Sequence, residues 1–255
     1  MQRAHFKIFS GSDRGLVRSH NEDSVGVVEF ELSTMLAAVV ADGVGGHAGG
    51  EVASKLAVDR ILEYLNSNMR SVEDEQQIND RGLQQQLLNA VHEANAAIIE
   101  EQQQPGLAQM ATTVVAVLLK RHQMMLAYMG DSRCYRWREH RLEQLTHDHT
   151  VAQQMIDSGD YDEEQIQHMP YHHVLNRALG LDRYADVDGR MLTMMPGDLL
   201  LLCSDGLTNC LNDEQLLNIL DRHDDVHRCG EELIASANDA GGVDNISVVL
   251  IRIVD

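Results

Sequence analysis

Four aspartates in this chain stand at the ends of apolar runs. Met35 to Ala41 is continuously apolar and stops at Asp42-Gly43. Leu199-Leu200-Leu201-Leu202-Cys203-Ser204 runs into Asp205-Gly206, and Leu126-Ala127-Tyr128-Met129 runs into Gly130-Asp131-Ser132-Arg133. Asp244-Asn245 stands just before a last apolar run, and Glu22-Asp23 adds two carboxylates before another at Val25. A carboxylate at the tip of a buried strand needs a positive partner, because an unpaired buried charge is very costly. For Asp42 taken alone, an arginine, a helix N-terminus or a metal ion would serve. The recurrence favours metal. If the tips converge, at ~5 Å and an effective dielectric of ~20, each pair of carboxylates costs about 3 kcal/mol, which several pairs cannot sustain without cations. Hard oxygen donors of this kind suit Mg²⁺ or Mn²⁺. Glycine after the aspartate leaves room for a backbone carbonyl to approach an ion. A single Asp-Gly is ordinarily a plain turn, and spacing alone does not establish that the tips meet.

The elements that must position these groups read as alternating sets of strands and helices. His5 to Ser10, Val25 to Glu31 and Met35 to Ala41 read as strands, the last two as a hairpin, with turns at Ser12-Asp13-Arg14-Gly15 and at the glycines from Gly43 to Gly50. Val52, Leu56, Ile61 and Leu65 lie on one face of a helix over 51–65, and polar Asn66 to Arg81 reads as a loop. Leu83, Leu87, Val91, Ala94 and Ile98 mark a second helix that stops at Pro105-Gly106. Thr112 to Leu119, Gln123 to Met129 and Ser132 to Arg138 read as an antiparallel succession, because their connections are too short for crossovers. Val151, Met155 and Ile156 suggest a short helix. Met191 to Met195 and Leu199 to Cys203 read as strands flanking Pro196-Gly197-Asp198. Helices around Leu216 to Leu220 and Leu233 to Ala237 precede a closing strand, Ile246 to Val254. No repeat or linker divides the chain, and the lack of strict β-α alternation favours α+β with antiparallel sheets covered by helices.

Composition sets further bounds. The 255 residues are 44% hydrophobic but only 4% aromatic, so the core is aliphatic, rich in Met and Ala. Lys and Arg total 20 against 40 Asp and Glu, a formal charge of −20, which argues against nucleic acid or an anionic membrane as the main partner. Cys134, Cys203, Cys210 and Cys229 show no C-x-x-C spacing, and Cys134 and Cys203 lie in apolar runs, as buried thiols of a reducing compartment do. No signal-peptide core or membrane-length apolar run is present, so the expected location is cytoplasmic.

Six ordered segments resemble the motifs of the metal-dependent type 2C serine/threonine protein phosphatases. They are Ser12 to Asp23, Ala41 to His47, Gly130-Asp131-Ser132-Arg133, Leu145-Thr146-His147-Asp148-His149, Ser204-Asp205-Gly206-Leu207 and Asp244-Asn245-Ile246-Ser247. The forms Asn21-Glu22-Asp23 and Gly45-Gly46-His47 are similar to the compact bacterial branch. The resemblance implies a four-layer α-β-β-α sandwich of two central antiparallel sheets, one domain over 1–255, with a variable flap at about 148–180. It also implies the convergence that spacing could not supply. Asp42 would bridge two Mn²⁺ or Mg²⁺ ions and the Gly43 carbonyl would bind the first. Asp205 and Asp244 would complete the second, and Asp131 with Asp205 would hold a third, weaker ion. Glu22 would act through metal-bound water with Asp23 close by, and Arg18 would bind the substrate phosphate.

The chemistry then expected is in-line attack of a metal-bridging hydroxide on phosphoserine or phosphothreonine, without a phosphoenzyme. Cys203 would be structural. Some members of the family carry histidine just after the Asp-Gly pair as a proton donor. Val44 stands there in this chain, His47 reads as part of the turn, and a metal-bound water is the alternative donor. His147-Asp148-His149 and His172-His173 read as structural or surface groups. The acidic run Asp160, Asp162, Glu163 and Glu164 reads as a solvated face, or else as a bias toward substrates with basic flanks. Expected partners are phosphorylated proteins, substrates of a bacterial Ser/Thr kinase, and the kinase itself. The alternatives are a non-catalytic regulator on the same fold and a phosphatase of small molecules.

Overall fold

The computed structural model describes residues 5–30, 34–44, 49–70, 79–162, 165–166 and 174–254. The strands are β1 (Phe6–Asp13), β2 (Asp23–Phe30), β3 (Met35–Val44), β4 (Ala111–Thr112), β5 (Val114–Lys120), β6 (Gln123–Met129), β7 (Arg133–Arg138), β8 (Arg141–Gln144), β9 (Asp188–Thr193), β10 (Leu199–Cys203) and β11 (Ile246–Ile253). The helices are α1 (Gly49–Arg70), α2 (Asp80–Glu101), α3 (Val151–Asp157), α4 (Asp205–Thr208), α5 (Asp213–Arg222) and α6 (Val226–Asp239). One antiparallel sheet has the order β1-β11-β10-β7-β8, the other β2-β3-β5-β6-β9, with β4 against β3.

Why the key strands are apolar throughout follows from where their two faces go. Ala37, Val39 and Ala41 of β3 pack with Ile61 and Leu65 of α1 and with Leu87 and Val91 of α2. The intervening Leu36, Ala38 and Val40 meet Leu200 and Leu202 of β10 and Val249 and Ile251 of β11 across the sandwich. On the far side, Leu199, Leu201 and Cys203 pack under Leu216 and Leu220 of α5 and Leu233 of α6. Three apolar layers therefore bind four layers of structure, α-β-β-α. A strand buried on both faces carries no polar alternation, and each leucine so buried contributes roughly 1.5–3 kcal/mol.

Several expectations from the sequence are corrected. β7 does not follow β6 in its sheet: β5 and β6 pair with each other, whereas β7 lies beside β10 in the other sheet. Likewise β9 pairs with β6 while β10 lies between β11 and β7, so the turn at Gly197 separates sheets rather than closing a hairpin. β9 also begins and ends earlier than its methionines suggest. It is a largely exposed edge strand, and Met194, which is buried, lies beyond it. β8 is a second polar edge strand without apolar alternation to announce it. β1 runs through Ser12 and Asp13, with register continued to Ile246 of β11. α1 continues into the polar stretch to Arg70, where Met69 is buried one turn beyond Leu65 and the Asn68 side chain donates to the Tyr64 carbonyl (2.8 Å). Residues 71–78 of the expected loop lie outside the described residues. Asn79 caps α2 by accepting from the Gly82 N–H (2.8 Å). Among the described residues no helix is long and apolar enough to cross a membrane.

The step from β6 to β7, from one sheet to the other, is made at Gly130. Its φ is +108°, a conformation that favours glycine, and a Cβ there would lie 2.6 Å from the Thr113 Cβ. Gly130→Ala should therefore destabilise the fold by about 2 kcal/mol or more. A lowered urea midpoint at unchanged m-value would measure this.

Candidate active site

The crossings between sheets bring the carboxylates together. Asp42 lies within β3, directly opposite Asp23 in β2, so the hairpin register alone pairs them. Strand pairing does not end at Asp42, as a tight turn at Gly43 would require. Gly43 continues β3 and pairs with Thr112 of β4. The need for glycine is one of close approach: a Cβ on Gly43 would lie 2.1 Å from the Gly50 carbonyl oxygen and 2.6 Å from that of Glu22. Residues 45–48, which include His47, lie outside the described residues.

Short polar contacts hold each aspartate. The Asp42 N–H donates to Thr113 Oγ1 (3.0 Å), and its carbonyl accepts from the Thr113 N–H (2.9 Å) and the Thr112 hydroxyl (2.8 Å). Thr113 Oγ1 lies 2.7 Å from Ser132 Oγ, which ties β5 to the segment carrying Asp131. From the other sheet, Asp205 opens α4, and Asn209 Nδ2 donates to its Oδ2 (3.0 Å). Asp244 precedes β11. Asn245 beside it is buried and holds the segment between β1 and β2 at three points: it accepts the Glu22 N–H (2.8 Å) and donates to the carbonyls of Arg14 and His20 (2.9 Å each). Glu22 is held further by Ser54, whose hydroxyl donates to its carbonyl (2.6 Å).

Arg18, Glu22, Asp42, Gly43, Asp131, Asp205 and Asp244 all line one cavity of about 1240 Å³. Asp23 lies just beneath it, buried, with Oδ2 accepting from Ser204 Oγ (2.7 Å) and Oδ1 buried without a hydrogen-bond partner. Every residue that the sequence nominated is thus in or against a single site. Arg18 bonds Asp244 at 2.6 Å rather than Asp42. Burial works against its charge, but the hydrogen bond and attraction from Asp244, with Asp42 and Glu22 nearby, raise its pKa further.

The carboxyls respond as crowded like charges do. Burial first, then repulsion from Asp205 and Asp244, pushes Asp23 up to about 7 despite the hydroxyls of Ser204 and Ser247. Burial, then repulsion from Asp205 and Asp148, pushes Asp131 up to about 8. Asp42, desolvated and facing Asp23, Asp205 and Asp131, is raised well above its ordinary value. Oxygen donors, an excess of negative charge and the orphaned Asp23 Oδ1 fit a hard divalent cation. Among the described residues no three His, Cys, Asp or Glu side chains stand close enough together to hold a metal ion between them. Mg²⁺-like ions keep several waters and need only one or two carboxylates each, so these carboxylates would hold them with water in the remaining positions.

Sequence reasoning missed the supporting polar groups Thr113, Ser132, Ser204 and Ser54. They are hydroxyls inside or beside apolar runs, and only that placement hinted at them. Cys203 is buried and its thiol is pushed up to about 12 by burial, so it is no nucleophile. His149 accepts the Gly130 N–H on Nδ1 (3.0 Å), bonds Asp188 through Nε2 (2.8 Å) and stacks on Tyr128, a structural role as expected. His172 and His173 lie outside the described residues, as do Glu163 and Glu164 of the acidic run.

The protein phosphatase 2C family matches residues 13–241. The serine/threonine phosphatase stp of Listeria monocytogenes is 34% identical over 242 residues, 94% of this chain and 93% of that protein. The crystal structure of the Mycobacterium tuberculosis serine/threonine phosphatase PstP/Ppp superposes with a TM-score of 0.86 at 35% identity, covering 98% of this chain and 99% of that one. The catalytic domain of PstP in complex with two manganese ions gives 0.83 at 35% identity, covering 98% and 99%.

Raised carboxyl pKa values have a defined consequence for stability. The folded protein holds more protons than the unfolded chain between the ordinary carboxyl value of 3.8 and about 8, so stability must fall as pH rises through that window. In EDTA the Tm should be lower at pH 8 than at pH 6, more steeply than in Asp131→Asn. Mn²⁺ should raise Tm more at pH 8 than at pH 6, since binding displaces those protons. Thermal scans of both proteins at the two pH values check this.

Proposed function

This chain belongs to the protein phosphatase 2C family, and we propose that it is a bacterial serine/threonine protein phosphatase whose reaction is carried by the residues of this cavity. The observation that carries the assignment of roles is the meeting of Glu22, Asp42, Asp131, Asp205 and Asp244 with one arginine, Arg18, in a single cleft. Two divalent cations, Mn²⁺ or Mg²⁺, would be held by Asp42, the Gly43 carbonyl, Asp205 and Asp244, with a third at Asp131 and Asp205. When bound, they activate water at neutral pH and offset phosphoryl charge.

The chain's own groups do the rest. The half-exposed guanidinium of Arg18 moves from Asp244 to the phosphoryl oxygens, for which its planar donors are suited. Glu22, fixed through its backbone by Asn245 and Ser54, lines the cleft and orients the attacking water and accepts its proton, with Asp23, fixed by Ser204, close beneath it. Val44 lines the cleft and has no proton to give, and a water in the cleft is read as the donor to the leaving oxygen. The segment at about 148–180 is read as a flap on one domain spanning 1–255. The substrates are read as phosphoproteins made by an opposing Ser/Thr kinase. Four free cysteines, three of them buried, support a cytoplasmic setting.

Asp42→Ala, Asp205→Ala and Asp244→Ala should each lower Mn²⁺-dependent hydrolysis of p-nitrophenyl phosphate and of a phosphothreonine peptide by about a thousandfold or more. Full activity of the unmodified enzyme in excess EDTA would sink the mechanism. Arg18→Ala should raise KM for the phosphopeptide about 10- to 100-fold, the loss of a charged hydrogen bond. An unchanged KM at unchanged metal affinity removes the phosphate role.

A further inference from the structure

The cleft is much larger than the group it transforms. Its volume of about 1240 Å³ exceeds the ~300–1000 Å³ of a site for a drug-sized ligand, and Arg18 is the only Lys or Arg among the described residues that line it. Most of the wall therefore serves something other than phosphate. Among the described residues eleven large apolar side chains are exposed, and five of these line this one cavity: Val17 (68% exposed), Leu181 (60%), Val243 (51%), Val174 (46%) and Val44 (41%). Exposed apolar residues scattered singly need no explanation, but a group bordering a functional cleft does.

The apolar residues sit on fixed backbone. Val17 and Val243 are held side by side because the N–H groups of Leu16 and Val17 both donate to the Gly242 carbonyl (2.8 and 3.2 Å). Leu181 follows Gly180, whose N–H donates to Asn95 of α2 (2.8 Å) and whose carbonyl accepts from Gln102 just past the end of α2 (2.7 Å). The two banks are thus anchored to different parts of the sandwich, with the carboxylates and Arg18 between them. A contrast marks the opposite side. Beyond Asp131 and Asp205 the cleft adjoins a second bay of about 370 Å³ whose lining is mostly polar, with Arg133, Asp148, Gln153 and Asp213 beside Ile156 and Ile166, so the apolar share is greater on the side of Val17 and Leu181.

We propose that this rim selects phosphopeptides with large aliphatic side chains next to the phosphoresidue. The inference rests on the phosphatase reading above. The occupant follows from continuity: phosphate drawn to Arg18 obliges the chain that carries it to lie across the banks.

The test uses the full chain with Mn²⁺ and two phosphothreonine peptides that differ only in two residues on each side, Leu and Val in one, Ser and Asn in the other. The aliphatic peptide should have a kcat/KM about tenfold higher, equivalent to about 1.4 kcal/mol, through KM. In Val17→Thr/Leu181→Ser that preference should vanish, with kcat and p-nitrophenyl phosphate hydrolysis within twofold of the unmodified enzyme. Equal kcat/KM for the two peptides in the unmodified enzyme, or a parallel loss on both in the variant, overturns the rim. So does sedimentation showing a dimer that the double variant dissolves, with no change in peptide preference, since the patch is then a contact between copies. Hydrolysis of p-nitrophenyl phosphate with neither peptide touched instead overturns the protein-phosphatase reading beneath it.

Discussion

The structure depends on holding mutually repelling carboxylates at the place where two β-sheets meet. Asp23 and Asp42 belong to one sheet, Asp205 and Asp244 to segments of the other, and Asp131 to the crossing between them. Nothing in their mutual electrostatics favours this arrangement: burial first, and repulsion from the neighbouring carboxylates after it, raises Asp23, Asp42 and Asp131. The opposing stabilisation comes from elsewhere: from the three aliphatic layers that clamp the sheets, and from hydroxyls and amides that fix the backbone on either side of each aspartate. A site under such tension is ready to gain from a cation, because the binding energy of the ion includes relief of repulsion already present.

The supporting polar groups are arranged so that the two sheets cannot slide independently. Asn245 links β11 to the segment carrying Arg18 and Glu22, and Ser204 links β10 to Asp23 of β2. Thr113 and Ser132 link the Asp42 backbone to the neighbour of Asp131. Each contact is a single short hydrogen bond worth about 1 kcal/mol by itself. Their effect on function is larger than that figure, since misplacement of a charged donor by about 1 Å can cost two orders of magnitude in rate.

Arg18 has a double aspect that the sequence did not indicate. Lying 2.6 Å from Asp244, it offsets the charge of that carboxylate while remaining about half exposed to incoming anions. The same residue can thus quiet the site at rest and receive phosphate in use. Around it the cleft has a more apolar rim, at Val17, Val174, Leu181 and Val243, and a more polar bay toward Asp148 and Asp213.

The sequence by itself marked the aspartates at the ends of apolar runs and most of the elements that carry them, and the resemblance to a family added Arg18 and the convergence. Apolar runs ending in aspartate need only local chemistry to be noticed, and two-sided burial leaves a plain mark in Met35–Ala41 and Leu199–Cys203. Helical periodicity likewise marked α2 and the core of α1. What the sequence left open was decided by contacts between residues distant in the chain. Sheet membership is one such matter: β6 and β7 are two short strands about a tight turn, and only the φ of Gly130 and the packing of Thr113 send them to different sheets. Polar edge strands β8 and β9 carry little apolar signal, because none of their side chains is fully buried. The reason for Gly43, a close approach of the Gly50 and Glu22 carbonyls rather than a turn, and the pairing of Arg18 with Asp244 are likewise tertiary. Charge pairs and backbone approaches of this kind depend on distances in space, and spacing along a chain does not encode those.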